Sequence, residues 1–364
     1  MATPSTLTFI PRAAFPPLSS SIPRAYFLGH HRAGLQKMKS MTSLIDLVIE
    51  CRDARIPVTG RNEMFEESLG GKPRLVVYTK GDLMGGGEGA RKTEQTIRQW
   101  DSPTPTLFSS NTSRPSTRRI LNFARAHSTR TSALTGTRML VVGMPNVGKS
   151  TLLNSLRNLS LHKRKAAATG AQPGITRKVG TSVKIIEGEE GRGAVYLLDT
   201  PGVFVPYVPD AESMLKLALC GNVKDTIVPP TVLADYLLFR MNLSFGTVGS
   251  GSGVEGRGEG ETCFYAQYAE PTNDVMVLLD GIARRTGRLR KGGEPDFEAA
   301  ALWFIQRWRM GLLGKFLLDD VSEGALERRK AELKAYGGSM NQAIKAAKEL
   351  RKQRALMKRN ADAG

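Results

Sequence analysis

Residues 138–156 constrain the fold more than any other part of this chain. Arg138 to Val142 is a short apolar strand pattern, Gly143-Met-Pro-Asn-Val-Gly148-Lys149-Ser150 follows at once, and Thr151 to Leu156 has helix-forming character. In the arrangement strand, GxxxxGK[ST], helix, a glycine-rich loop turns successive backbone N–H groups toward phosphate oxygens, with the N-terminal end of the helix dipole behind them. In that geometry Val147, Gly148 and Thr151 line the phosphates, Lys149 reaches the β- and γ-phosphates, and Ser150 offers its hydroxyl to Mg2+. The chain around this motif predicts a doubly wound α/β sheet, mostly parallel.

A second strand pattern, Gly193 to Leu198, ends in Asp199-Thr200-Pro201-Gly202. An acid at the tip of a strand next to a phosphate loop is placed to bind Mg2+ through water, and Gly202 lets its N–H approach the γ-phosphate. Between the two lies Gln172-Pro-Gly-Ile-Thr176-Arg177, where Thr176 is placed to complete the Mg2+ shell and to sense the γ-phosphate. Upstream, Pro73 to Tyr78 reads as a buried strand ending in Thr79-Lys80-Gly81-Asp82. A carboxylate at that end can accept both N1–H and N2–H of guanine, a donor pair adenine lacks, so Asp82 is the expected specificity residue, with Lys80 along the base plane. A third strand, Pro105 to Phe108, ends in Ser109-Ser110, where a backbone N–H is expected to meet guanine O6.

In this order of motifs (79–82, 109–110, 143–150, 174–177, 199–202) the sequence resembles the circularly permuted GTPases of the YlqF/RbgA group, including its mitochondrial branch. Two further elements match: Tyr26-Phe-Leu-Gly-His30 is similar to the group's N-terminal FPGH element, and Asp53-Ala-Arg55-Ile-Pro57 to its DARxP turn. The resemblance covers about residues 26–243 and after Asn242 fades into composition. It implies GTP hydrolysis to GDP and phosphate. Val203 stands where Ras-like enzymes carry the water-orienting Gln, and an aliphatic chain cannot hydrogen-bond. The resemblance implies two substitutes: His30 as a water-positioning group, and Asn146 as a K+ ligand beside the phosphates. Thr79 replaces the usual Asn, a loss of the amide that braces base against phosphate loop, and Leu28 replaces the group's Pro. The Gly85-Gly86-Gly87 run reads as a relaxed loop insertion.

Charge divides the rest. The 364 residues hold 52 Lys+Arg against 34 Asp+Glu, a formal charge of +18 that favours an anionic partner. Five basic residues precede the first acid, Asp46, and with the Ser19–Ser21 run they make residues 1–22 an expected mitochondrial transit peptide. From Val321 to Gly364 eleven basic residues face five acids, and the stretch from Asn341 reads as a basic helix. The expected organisation is therefore a permuted G domain over 23–206, then a smaller, mostly helical C-terminal domain over 207–364. That second part contains a Gly-rich insert at 244–262, with Trp303, Phe304 and Trp308 in its core. Three cysteines without a CxxC pair argue against a disulfide framework or structural zinc. No apolar run approaches a membrane span.

The resemblance implies a monomer associated with the mitochondrial large ribosomal subunit and its rRNA, on the matrix side and peripheral to the inner membrane. Two rivals stand beside it: an rRNA-binding module locked by nucleotide with little turnover, and a nucleolar or plastid ribosome-assembly GTPase.

Overall fold

A computed structural model describes residues 9–17, 29–62, 65, 68–131, 136–161, 182–188, 193–203, 208, 210–246 and 263–336. Six strands form one sheet: β1 (Leu47–Asp53), β2 (Arg74–Thr79), β3 (Thr106–Phe108), β4 (Thr137–Gly143), β5 (Val183–Ile186) and β6 (Val195–Asp199). Their spatial order is β3-β2-β1-β4-β6-β5, parallel throughout except for the β5–β6 pair. The four strands read from sequence start and end within two residues of the observed ones.

Strand β1 is buried along its whole length, as expected of a parallel strand covered on both faces. Its side chains alternate between layers. Leu47, Ile49 and Cys51 join the cluster with Ile120 and Leu121 of helix α3 (Arg114–Thr131) and Leu152, Leu153 and Leu156 of α4 (Lys149–Leu161). Val48 faces the other way, toward Leu35 and Met38 of α1 (Gly29–Met41) and Val203. Helix α2 (Gly87–Asp101) covers the outer strands through Ile97. Gly86 is the residue preceding this helix, and Gly85 and Gly87 take φ of 105° and 74°. The glycine run is thus a helix entry that uses left-handed backbone, and not a relaxed insertion.

The helical region comprises α5 (Ala211–Leu219), α6 (Pro230–Gly246), α7 (Val275–Thr286), α8 (Phe297–Arg309) and α9 (Ala325–Tyr336). The Asp side chains of Asp210, Asp274 and Asp296 cap α5, α7 and α8 by accepting backbone N–H groups. One connected hydrophobic cluster runs from the sheet face through α5 to α8, with Phe304 and Trp308 buried in it as expected. Trp303 is only half-buried, between the guanidiniums of Arg288 and Arg307, each 5.0 Å from its ring centre. Most of the Gly-rich stretch, 247–262, and the basic tail from 337 lie outside the described residues.

Part of the expected leader is a packed element. Arg12 forms an ion pair with Asp235 of α6 at 2.6 Å, and its backbone N–H donates to Asn273 Oδ1. Asn273 in turn donates to the Ile10 carbonyl, while Phe15 sits edge-on to Tyr236 at 5.2 Å. Residues 10–15 are therefore built into the helical region, whereas 1–8 and 18–28 lie outside the described residues.

Candidate nucleotide site

All the sequence-predicted motifs that are described lie beyond the C-terminal ends of parallel strands, where β1 and β4 are neighbours and the chain departs to opposite sides. Doubly wound sheets bind ligands at such a switch point. The loop from β4 into α4 is shaped by its glycines. Gly143 has φ of 146°, and a Cβ there would lie 2.3 Å from the Cys51 carbonyl oxygen, so only glycine fits. Asn146 and Gly148 also take positive φ, which turns the loop's amides inward. Val147 is buried, and Thr151 lies in the first turn of α4.

Lys149 is buried and donates from Nζ to the carbonyls of Met144 (2.7 Å) and Gly143 (3.2 Å). Burial lowers its pKa, and the nearby Asp199 only partly offsets this. The Ser150 hydroxyl donates to Asp199 Oδ2 at 2.5 Å, while Asp199 Oδ1 is buried with no hydrogen-bond partner among the described residues. Burial raises the Asp199 carboxyl, opposed by the Ser150 hydrogen bond and by Lys149. A hydroxyl and a carboxylate with one unused oxygen are the hard oxygen donors that suit Mg2+.

Downstream of Asp199, the Thr200 hydroxyl donates to the Val141 carbonyl at 2.6 Å. Gly202 lies flat against the phosphate loop: a Cβ there would come within 2.4 Å of Pro145 Cα and N. Val203 donates its N–H to the Gly143 carbonyl and accepts from Asn62 Nδ2 at its own carbonyl, and its side chain is fully buried. The residue after the Asp-Thr-Pro-Gly turn thus packs against α1 and offers no polar atom of its side chain to a water.

On the base side, the Thr79 hydroxyl reaches the Val147 carbonyl and, at 3.1 Å, the Arg52 carbonyl, donating to one at a time. This corrects the expected loss of a brace: a shorter side chain ties the base turn directly to the phosphate loop. Lys80, at φ of 56°, donates to Asp53 Oδ2 (2.7 Å) and to the Asn146 carbonyl (2.9 Å). Asp82 is half-exposed in the short helical turn Gly81–Leu83, and its carboxylate makes no hydrogen bond or ion pair with a described residue. The expectation for Ser109 and Ser110 changes. Ser109 donates its N–H to the Tyr78 carbonyl and Ser110 donates its own to Ser116 Oγ, so neither is open to a base carbonyl in this conformation. The loop is braced instead by Ser116, on the first turn of α3.

Behind the base turn, Asp53 is fully buried and clasped by Arg55 through Nε (3.0 Å) and Nη2 (2.8 Å). Burial alone would push this carboxyl up; Arg55 and Lys80 more than reverse it and hold it well below the usual carboxylate range. Arg55 also stacks over Trp308 of α8, 4.7 Å from the ring centre, and its carbonyl accepts from the Leu318 N–H.

Sequence reasoning missed the contribution of the segment after α5. Asn222 is fully buried and donates from Nδ2 to the Pro145 carbonyl at 2.7 Å, and Gly221 accepts at its carbonyl from Asn146 Nδ2 at 2.9 Å. Arg309 holds the same segment from outside, donating to the Ala218 and Leu219 carbonyls and pairing with Asp225. The Gly-Asn dipeptide signals a turn, yet nothing local says which loop it meets. Of the remaining expected site residues, Thr176 lies outside the described residues, and so does the side chain of His30, whose backbone belongs to α1.

A family profile described as 50S ribosome-binding GTPase matches residues 138–229. The chain is 33% identical over 338 residues to mitochondrial GTPase 1 of Schizosaccharomyces pombe, covering 88% of this chain and 96% of that protein. It is 36% identical over 330 residues to mitochondrial ribosome-associated GTPase 1 of Mus musculus, covering 85% and 93%. An alignment of 338 residues cannot fit within 26–243, so the likeness extends well into the helical region, where the sequence had suggested it fades. Given that likeness and a sheet in which the base-side strands precede the phosphate loop, the chain belongs to the mitochondrial GTPase 1 family and is a circularly permuted GTPase.

Proposed function

We propose that this GTPase acts in assembly of the mitochondrial large ribosomal subunit, bound to its rRNA, as a monomer on the matrix side and peripheral to the inner membrane. What carries the reading is a phosphate loop and base turn in one site, on a chain whose relatives are named for a mitochondrial ribosome-associated GTPase across most of their length. Among the described residues no helix is long and apolar enough to cross a membrane. The organisation that goes with this is a G domain over 23–206 and a helical part over 207–364.

In the nucleotide site Lys149 would pair with the β- and γ-phosphates, for which it exchanges its present loop carbonyls. Ser150 and Asp199 would hold Mg2+, with Thr176 completing the shell. Bound Mg2+ supplies charge neutralisation on the β,γ-phosphates. Gly202, already packed on Pro145, would present its N–H to the γ-phosphate. Asp82 would read guanine N1–H and N2–H, with Thr79 and Lys80 fixing the turn that aims it. His30 would position the attacking water, since Val203 is turned into the core. Asn146 would serve K+; equal hydrolysis rates in Na+ and K+ buffers would remove that role.

The decisive experiment is co-sedimentation of the full chain with mitochondrial ribosomal particles in GTP analogue and in GDP, at several salt concentrations. Nucleotide-dependent binding to the large subunit or its precursors is expected. Its absence at every salt concentration sinks the ribosomal reading while leaving the GTPase intact. Imaging a tagged full chain separates the mitochondrion from a nucleolar or plastid address.

A further inference from the structure

Helix α3 carries five arginines and no acidic residue over its 18 positions. Arg114, Arg118, Arg119, Arg125 and Arg130 are all exposed, and none forms an ion pair with a described residue. On two other helices exposed cations have acidic partners one turn away: Lys92 with Glu88 and Arg98 with Glu94 on α2, Arg284 with Asp280 on α7. The five arginines of α3 have no such counter-charge, and the helix lies against the sheet.

The helix period arranges these side chains. Arg114, Arg118 and Arg125 fall within roughly 40° of one another, in a row about 16 Å long, and Arg119 and Arg130 form a second row about a third of a turn away. The opposite face is fixed in the fold by Ile120, Leu121 and Ala124. Two parallel rows of guanidiniums match an extended anionic backbone better than a single small anion. Arginine's planar fork binds phosphate oxygens in pairs, which lysine's point charge cannot do.

We propose that the α3 arginine face docks on the phosphate backbone of double-helical RNA. Two observations choose this partner. No large hydrophobic side chain is exposed on α3, and an amphipathic helix needs such residues to enter a membrane interface. No exposed aromatic stands among the arginines, and single-stranded RNA is held largely by stacking on aromatics. Recognition by backbone and shape, without base contacts, is how duplex RNA is bound. The first turn of α3 also supplies Ser116, which accepts from the Ser110 N–H, so the docked helix begins in the base-side loop of the nucleotide site. The inference rests on the proposed ribosomal role only for the natural source of the RNA.

The test uses the full chain and its Arg118→Gln/Arg119→Gln/Arg125→Gln variant, with unchanged basal GTP hydrolysis as the check of folding. Both are titrated with an RNA duplex of about 16 base pairs across a salt series. The variant is expected to bind roughly tenfold or more weakly, with a slope of log K against log salt smaller by about 2 to 3, as three lost phosphate contacts require. An Arg284→Gln/Arg290→Gln variant should keep the wild-type slope. Equal affinity and slope in the α3 variant overturn the proposal, as does a wild-type chain whose α3-dependent binding is to anionic vesicles and not to RNA. Particle co-sedimentation run in parallel tells the two readings apart. If the wild type fails on particles while the α3 effect on the duplex stands, only the ribosomal role is lost; if it binds particles and the variant keeps duplex binding unchanged, only this face is.

Discussion

The Asn222 side chain donates to the Pro145 carbonyl at 2.7 Å, joining the helical region to the middle of the phosphate loop. Neither group is exposed, so removing the amide strands a buried acceptor. Asn222→Ala is expected to destabilise the protein by about 1–3 kcal/mol. It should also raise the KM for GTP while the preference for guanine stays. Urea unfolding and nucleotide titration check both; an unchanged KM would confine Asn222 to a packing role.

Asp82 offers a carboxylate with no partner among the described residues, at the end of the base turn. Two hydrogen bonds to a charged acceptor are worth about 3–6 kcal/mol together. Asp82→Asn should therefore weaken GTP binding by roughly 10²-fold or more, and binding of xanthosine triphosphate should improve, because its C2 carbonyl accepts where guanine donates. Competition between the two nucleotides is the measurement.

For Asp199, burial raises the folded-state carboxyl above its ordinary 3.8. The folded, metal-free chain then holds a proton that the unfolded chain has released, so this group's contribution to stability is present below the ordinary value and is lost as pH rises through the folded one. Mg2+ requires the ionised form, so metal affinity should move the opposite way, rising over the same window. Asp199→Asn should flatten both profiles, read by thermal unfolding with and without Mg2+.

Breaking the Arg55–Asp53 side-chain clasp leaves a fully buried carboxylate held by Lys80 and by the backbone N–H of residue 55. Arg55→Leu is expected to cost about 3–5 kcal/mol. Part of that loss is the contact with Trp308, which a cycle with Trp308→Leu would isolate. The wild-type clasp also shapes the acid limb: Asp53 is held below its usual range, so its stabilisation is present above 3.8 and is lost as pH falls.

The ion pair of Arg12 with Asp235, beneath the ring contacts of Phe15, is partly buried on both sides. Phe15→Ala should lower stability by about 3 kcal/mol if this segment is part of the working protein. N-terminal sequencing of the organelle-derived chain provides the complementary check, with processing before Ile10 expected.

How far the sequence could be read depended on how far apart the partners lie. Gly143, Lys149 and Ser150 were legible because a phosphate loop is local: eight consecutive residues carry its shape and its chemistry. Asn222 and Asn62 were not, since each acts on a loop more than seventy residues away through a side chain that locally signals only a turn or a polar surface. The leader reading followed composition alone, and composition cannot register that Asp235 waits for Arg12. Thr79 shows the reverse error: comparison with a motif predicts a missing brace, whereas the hydroxyl finds the phosphate loop by a shorter route.

The sheet order has a consequence for how the chain is made. Strand β1 hydrogen-bonds β2 on one side and β4 on the other, yet residues 54–136 separate its end from the start of β4. While the chain emerges or is threaded from its N-terminus, the base-side half can assemble first, leaving along β1 an open edge on a strand that is wholly buried in the finished fold and apolar over Leu47–Ile49. That edge closes only when β4, and with it the phosphate loop, arrives. A chain arrested before residue 137 should therefore be captured by chaperones or aggregate more readily than one arrested beyond β6.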